Sequence, residues 1–207
     1  MKQIRRSLRI LVFCLLAALV ITGCKAQPPQ SFQLHVGAPA LVEKRIPDTA
    51  DAIRQALPAL SGEGAMECIY LKAGDLDNEQ DARAGSYGLQ QITKNLTAGQ
   101  IDVLIATAEV GRVQALNNLL MPLSEIFTQE ELAQLEKQIV QYDYVDYMLG
   151  AELPTGESTP DCGLDISEHE FITPLVSSEP LGVYVAINAP HSEQAKALIR
   201  YLAGFAP

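Results

Sequence analysis

A basic segment followed by a short apolar run at the N-terminus limits where a folded domain can begin. Lys2, Arg5, Arg6 and Arg9 stand in a stretch without acids, and residues 10–21 are apolar without interruption. A transmembrane helix needs about 20 apolar residues, whereas the apolar region of a secretory signal has about 7–15. The run therefore predicts a signal peptide, and it places the folded part of the chain after it.

The residues that follow the apolar run predict where this signal ends. Ile21-Thr22-Gly23-Cys24 resembles the bacterial lipobox, in which a peptidase cuts before a cysteine that carries a diacylglyceryl thioether. We expect residues 1–23 to be a lipoprotein signal peptide and Cys24 to be the lipidated first residue. Acyl chains of the palmitate type would then hold the protein on the extracytoplasmic face of the cell membrane. The alternative is an uncleaved anchor with a chance cysteine. We expect residues 24–31 to form the lipidated N-terminus and a spacer that holds the domain off the membrane.

The charge of the remaining chain excludes one class of partner. The sequence has 15 basic and 25 acidic residues and a net charge of -10, and loss of the four basic residues of the signal leaves -14. Nucleic-acid binders carry a basic surface, so we expect no nucleic-acid partner. A hydrophobic fraction of 48% argues against a disordered chain. The length fits a single α/β domain, which we place at residues 32–207.

Apolar runs alternate with amphipathic segments along this domain. Residues 66–73, 101–106 and 181–188 are strand-like, and the run at 101–106 is apolar enough to be central in a sheet covered on both faces. Residues 83–98 place their leucines and isoleucine on one helical face, and a last helix begins near Ser192. This alternation predicts an α/β fold, a three-layer sandwich in which helices cover a mostly parallel sheet.

Residues 142–163 interrupt the alternation with several prolines and glycines. A stretch of this length predicts either a functional excursion or a small hairpin. Tyr142, Tyr144 and Tyr147 lie within it. They are able to stack on a sugar or a partner, or to pack against the edge of a helix.

Two cysteines remain after the lipidated one. Cys68 and Cys162 are 94 residues apart, and a disulfide between them is allowed outside the cytoplasm. Cys68 also lies in a strand-like run, where a free thiol packs as a small hydrophobic side chain. The sequence is compatible with both states. Two cysteines without clustered histidines predict no zinc site.

The sequence lacks the motifs of common catalytic and cofactor sites. It has no Gly-x-Ser-x-Gly, no His-Glu-x-x-His and no glycine-rich phosphate loop, so we expect neither an enzyme nor a cofactor. The acidic residues 75–81 lack the glycine and the closing glutamate of an EF-hand, which predicts a solvated loop. His169 has no second histidine at ligand spacing, so we expect no metal site. Asp102 lies in a strand-like run, where a buried acid needs a partner.

Three segments carry motifs that join strands to helices. They are residues 96–105 (LTAGQIDVLI), 123–127 (LSEIF) and 185–202 (VAINAPHSEQAKALIRYL). These segments resemble parts of bacterial extracellular solute-binding proteins, although ordinary α/β packing also produces such motifs. The resemblance implies one lobe of a periplasmic-binding-protein-like fold, as in the small solute-binding-like lipoproteins of Firmicutes. It also implies a structural rather than a catalytic role for Asp102, because the corresponding Asp of those proteins helps to end the loop after the helix. Full members of that family close two lobes on a ligand, and this chain is long enough for about one lobe.

Polar residues follow the predicted strands. Thr107 and Glu109 come after one strand, Asn188 after another and Asp75 after a third. In open α/β sheets ligands bind outside the carboxyl ends of the strands, so we expect Thr107, Glu109 and Asn188 to face a ligand, with Asp75 at the rim. The two acids favour a cationic or polyhydroxyl ligand. The alternative is that Thr107 and Asn188 are cap and turn residues.

These observations predict a membrane-anchored extracytoplasmic lipoprotein with a solute-binding-like module for a ligand that the sequence does not name. The alternative is a structural or interaction lipoprotein that docks another envelope protein and has no small-molecule ligand. Both hypotheses share the lipid anchor at Cys24.

Overall fold

A computed structural model describes residues 29–40, 45–61, 65–74, 82–148, 151–170 and 180–207. The predicted signal peptide, Cys24 and Asp75 lie outside these residues. The side chains of Tyr147 and a few other residues around the tip of one hairpin are not described either.

Six strands form one mixed sheet. The strands are β1 (Gln33–Ala38), β2 (Glu67–Lys72), β3 (Val103–Thr107), β4 (Ile139–Val140), β7 (Gly163–Asp165) and β8 (Leu181–Val185), in the order β2-β1-β3-β8-β7-β4. Strand β1 pairs in parallel with β2 and with β3. The pairs β3–β8, β7–β8 and β4–β7 are antiparallel. The α/β class is confirmed, but the prediction of a mostly parallel sheet is wrong.

Five helices lie in the described part of the chain. They are α1 (Ile46–Ala56), α2 (Ala82–Thr97), α3 (Ala108–Leu116), α4 (Gln129–Gln134) and α5 (Ser192–Leu202). Helix α4 starts with a capping box: Thr128 Oγ1 accepts from the Glu131 N–H, and the Glu131 carboxylate accepts from the Thr128 N–H. The described residues also form 3₁₀ turns at Pro58–Leu60 and Leu123–Glu125.

Each face of the sheet has its own hydrophobic core. Val103 and Ile105 of β3 contribute to a core that includes buried residues of α1 and α5. Leu104 and Ala106, which alternate with them, contribute to a second core with residues of α2 and α3. Fully burying an aliphatic side chain stabilises the fold by about 1.5–3 kcal/mol, so these two cores hold the helices on the sheet.

Helix α2 lies unusually close to the end of β2. A Cβ atom at Gly88 would overlap the carbonyl oxygen of Lys72, and one at Gly85 would overlap that of Gly74. The helix backbone therefore rests directly on the strand backbone, which only glycine permits. This contact positions the residues at the carboxyl end of β2.

The irregular stretch contains a hairpin. Strands β5 (Asp143–Met148) and β6 (Ala151–Ser158) pair antiparallel in a two-stranded sheet of their own. Tyr142, just before the hairpin, packs against the second core, and its hydroxyl lies 2.6 Å from that of the buried Tyr184. The same hydroxyl would lie 2.7 Å from a Cβ atom at Gly111 of α3, so Tyr142 packs between β8 and that helix, as the helix-packing alternative predicts.

The two described cysteines are free thiols. Cys68 lies on β2 at one edge of the sheet, and Cys162 comes just before β7, four strand positions away. At about 4.8 Å per strand this separation is far beyond the reach of a disulfide, so the disulfide alternative is wrong and the free-thiol alternative describes both cysteines. Burial raises the pKa of each thiol to about 11.

Candidate functional site

The carboxyl ends of β1, β2 and β3 meet at one edge of the sheet because these three strands are parallel. Strand β1 lies between the other two. Helix α1, which follows β1, packs on one face, and helix α3, which follows β3, packs on the other. The chain therefore turns to one face of the sheet after β1 and to the opposite face after its neighbour β3. Such a switch point opens a crevice outside the carboxyl ends of the strands.

Thr107 and Glu109 lie together at this edge, beside Gly74 at the end of β2. A Cβ atom at Gly74 would be 3.6 Å from Thr107 Oγ1 and 3.1 Å from Glu109 Oε2. Gly74 has a φ of +87°, a conformation that favours glycine. The structure thus brings together two of the predicted site residues with the residue that precedes Asp75.

The hydroxyl of Thr107 has an unusual environment. Thr107 is only 3% exposed, and among the described residues its Oγ1 has no hydrogen-bond partner. The residue occupies the N-cap position of α3, but its side chain makes no capping hydrogen bond. An unpaired buried hydroxyl costs about 1–3 kcal/mol. The cap alternative therefore does not account for this side chain.

Asn188 lies at the opposite edge of the sheet. Because β8 is antiparallel to β3, Thr107 is opposite Leu181, and the chain then runs away from Thr107 towards the start of β3. The side-chain amide of Asn188 donates to the Thr97 carbonyl at 3.4 Å. The prediction that Asn188 shares a site with Thr107 and Glu109 is wrong. The turn alternative describes it better.

Asp102 joins three elements at this second edge and is fully buried. Its Oδ2 accepts from the Gln33 N–H at 2.7 Å, and its Oδ1 accepts from the His191 N–H at 2.7 Å. The His191 Nδ1 lies 3.0 Å from Oδ2. The carboxylate therefore connects the first residues of β1 and β3 with the start of α5. The predicted structural role of Asp102 is confirmed.

A polar groove, which sequence reasoning missed, lies near the start of β1 and β2. We call it the β1–β2 groove. It has a volume of about 410 Å³ and is lined by Pro29, Gln30, Ser31, Gln33, His35, Glu67, Ile69, Asn95 and Gln100. The available signal was a polar residue at every second position of an otherwise apolar strand, since Gln33 and His35 alternate with Phe32, Leu34 and Val36.

Hydrogen bonds hold the floor of the β1–β2 groove in place. The Gln33 amide donates to Ser31 Oγ at 2.7 Å and to Glu67 Oε2 at 3.1 Å, and the Ser31 hydroxyl donates to Glu67 Oε1 at 2.8 Å. These bonds, that from Gln33 first, lower the pKa of Glu67. Burial lowers the pKa of His35 to about 4, against the opposing effect of the Asp102 charge. The groove thus presents an ionised carboxylate and a neutral imidazole at pH 7.

A second cavity, of about 540 Å³, lies between α5 and the residues after β7. His169 lines it and contacts the Tyr201 ring at 6.4 Å between centroids. Burial lowers the pKa of His169. No group of three or more His, Cys, Asp or Glu within the described ranges is arranged to hold a metal ion.

Comparison with models of known protein families, with curated proteins and with solved structures gave no match. A search of the described helices found none long and apolar enough to cross a membrane.

Proposed function

We propose that this chain is an extracytoplasmic lipoprotein, anchored through Cys24, whose α/β lobe binds a small solute at the carboxyl edge of β1–β3. The lobe would be a three-layer unit of the solute-binding type. Separate cores on the two faces of the sheet support that architecture. The lipobox-like residues 21–24 support the anchor.

One observation supports the binding role more than any other. The buried Thr107 hydroxyl is unpaired among the described residues and lies at the carboxyl end of β3, where ligands bind in open α/β sheets. Buried polar groups are rarely left unpaired in native structures, so we infer that a ligand supplies the missing hydrogen bond. Glu109, which is exposed and adjacent, favours a ligand that carries hydroxyl or cationic groups.

A thermal-shift screen of sugars, amino acids, polyamines and short peptides tests this proposal. A true ligand at 100 times its Kd raises the free energy of unfolding by about 2.7 kcal/mol. Thr107→Val keeps the shape and removes the hydroxyl, so it should weaken binding about tenfold without unfolding the protein. Asn188→Ala, at the opposite edge, is the matched control and should bind normally. If Thr107→Val binds as tightly as the wild type, the site lies elsewhere.

A docking role for another envelope protein is the second candidate. The hairpin β5–β6 favours it, because this two-stranded sheet is separate from the main sheet and exposes Leu153 to the extent of 46%. Replacing residues 144–157 by a short Gly-Ser linker should abolish capture of a membrane partner while solute binding persists. The opposite pattern, lost solute binding with intact capture, would argue against a docking role for the hairpin.

A further inference from the structure

The floor of the β1–β2 groove is polar, although apolar side chains at the same positions would also serve the packing of the sheet. On one face of β1, Phe32, Leu34 and Val36 belong to a hydrophobic core. The other face presents Gln33 and His35 to the groove. Both are buried, at 5% and 2% exposure. Burying polar side chains opposes folding unless their hydrogen bonds are made. The Gln33 amide makes such bonds to Ser31 and Glu67, so the burial of His35 is what needs another reason.

His35 is the residue whose hydrogen bonds are incomplete. Within the described part of the chain its Nδ1 has no hydrogen-bond partner, although the side chain lines the groove. At pH 7 the ring is neutral, so it offers one donor and one acceptor. A ligand in the groove is able to supply the missing partner.

The remaining lining defines the chemistry of such a ligand. Asn95 and Gln100 contribute amides, which both donate and accept, and Glu67 contributes a fixed acceptor. The described residues that line the groove include no lysine or arginine, which disfavours an anion. Ile69, 36% exposed, adds an apolar surface on which the C–H face of a ring can rest.

We propose that the β1–β2 groove binds a neutral saccharide of one or two hexose units. Its volume of about 410 Å³ lies within the range of small-molecule sites, about 300–1,000 Å³. Paired donors and acceptors match the hydroxyl groups of a sugar. This site is distinct from the carboxyl-edge crevice, because it lies at the starts of β1 and β2 rather than at their ends.

The groove also lies near the proposed lipid anchor. Pro29 lines it and follows Cys24 by five residues, which span at most about 18 Å when fully extended. The saccharide therefore comes either free in solution or as the headgroup of a glycolipid. The chemistry recognised is the same in both cases.

Saturation-transfer NMR and titration calorimetry on the full chain test this proposal, in a detergent without a sugar headgroup. The probes are the methyl glycosides of glucose, galactose, mannose and N-acetylglucosamine, with cellobiose and N,N′-diacetylchitobiose as disaccharides. Spermidine and inorganic phosphate serve as charged comparisons. We expect at least one saccharide to bind and neither charged compound to compete with it. Tighter binding of a glucosylglycerol than of the methyl glycoside would assign a lipid source, and the reverse a free sugar.

Two sets of variants then locate the site. Asn95→Ala combined with Gln100→Ala changes only partly exposed side chains and should weaken saccharide binding about tenfold. His35→Leu removes an unpaired buried polar group, so it should abolish binding while the unfolding midpoint stays equal or rises. His169→Leu, in the second cavity, is the matched control and should bind normally.

Three results would overturn the proposal. They are the absence of saccharide binding at millimolar concentration, competition by spermidine or phosphate, and normal binding by the Asn95/Gln100 double variant. Thr107→Val distinguishes this site from the carboxyl-edge site, since it should leave saccharide binding at the β1–β2 groove unchanged.

Discussion

Removal of the Asp102 carboxylate should destabilise the protein strongly, because two backbone N–H groups depend on it. In Asp102→Ala the N–H groups of Gln33 and His191 lose acceptors at 2.7 Å. An unpaired buried donor costs about 1–3 kcal/mol, and the His191 N–H is only partly buried, so we expect a loss of about 3 kcal/mol. Asp102→Asn keeps one acceptor oxygen and should lose about half as much.

Urea unfolding followed by far-ultraviolet circular dichroism measures this loss. Asp51→Ala is the matched control, since Asp51 is an exposed acid paired with Arg54, and it should change stability by at most about 0.5 kcal/mol. His191→Ala keeps its backbone N–H and removes only the imidazole, so it should cost less than Asp102→Ala. If Asp102→Ala costs less than about 1 kcal/mol, Asp102 does not connect β1, β3 and α5 as described.

Two further predictions concern packing and pH. Gly88→Ala should lower the free energy of unfolding in urea by at least about 2 kcal/mol, because the overlap of the new Cβ with the Lys72 carbonyl outweighs the gain of about 1 kcal/mol in helix propensity. Tyr87→Ala, at an exposed position of the same helix, is the control and should change the stability little. Equal effects of the two substitutions would refute the close contact between α2 and β2. Hydrogen bonds from Arg200 lower the pKa of Glu131 to about 2. The pair therefore stabilises the folded state above the unfolded pKa of about 4.5, and this stabilisation is lost as the pH falls from 4.5 to about 2. Thermal unfolding midpoints of Glu131→Gln should therefore fall less steeply over that pH range than those of the wild type.

The sequence predicted the positions of strands and helices better than it predicted the directions of the strands. The strands that begin near residues 66, 101 and 181, and the helix at 83–98, were all recognisable from apolar periodicity. Periodicity carries no information on strand direction, however. A helical crossover favours a parallel neighbour, but β8 follows a long segment that includes the hairpin β5–β6. Its antiparallel direction moved Asn188 to the far edge of the sheet.

The candidate site was predictable only in part for the same reason. Thr107 and Glu109 follow a strand whose parallel neighbours fix the edge at which they lie. The floor of the β1–β2 groove comes from residues far apart in the chain, since Gln33 and Glu67 on neighbouring strands meet Asn95 and Gln100 at the end of α2. Only the register of β1 with β2 and the position of α2 bring them together.

Intact-mass and peptide analysis of the protein isolated from bacterial membranes tests the central proposal most directly. We predict that the chain begins at Cys24 and that the cysteine carries a diacylglyceryl thioether. Cys24→Ala should accumulate as the full-length precursor. A mature wild-type protein that begins at another residue, or that carries an unmodified Cys24, would contradict the account of a lipid-anchored extracytoplasmic lobe.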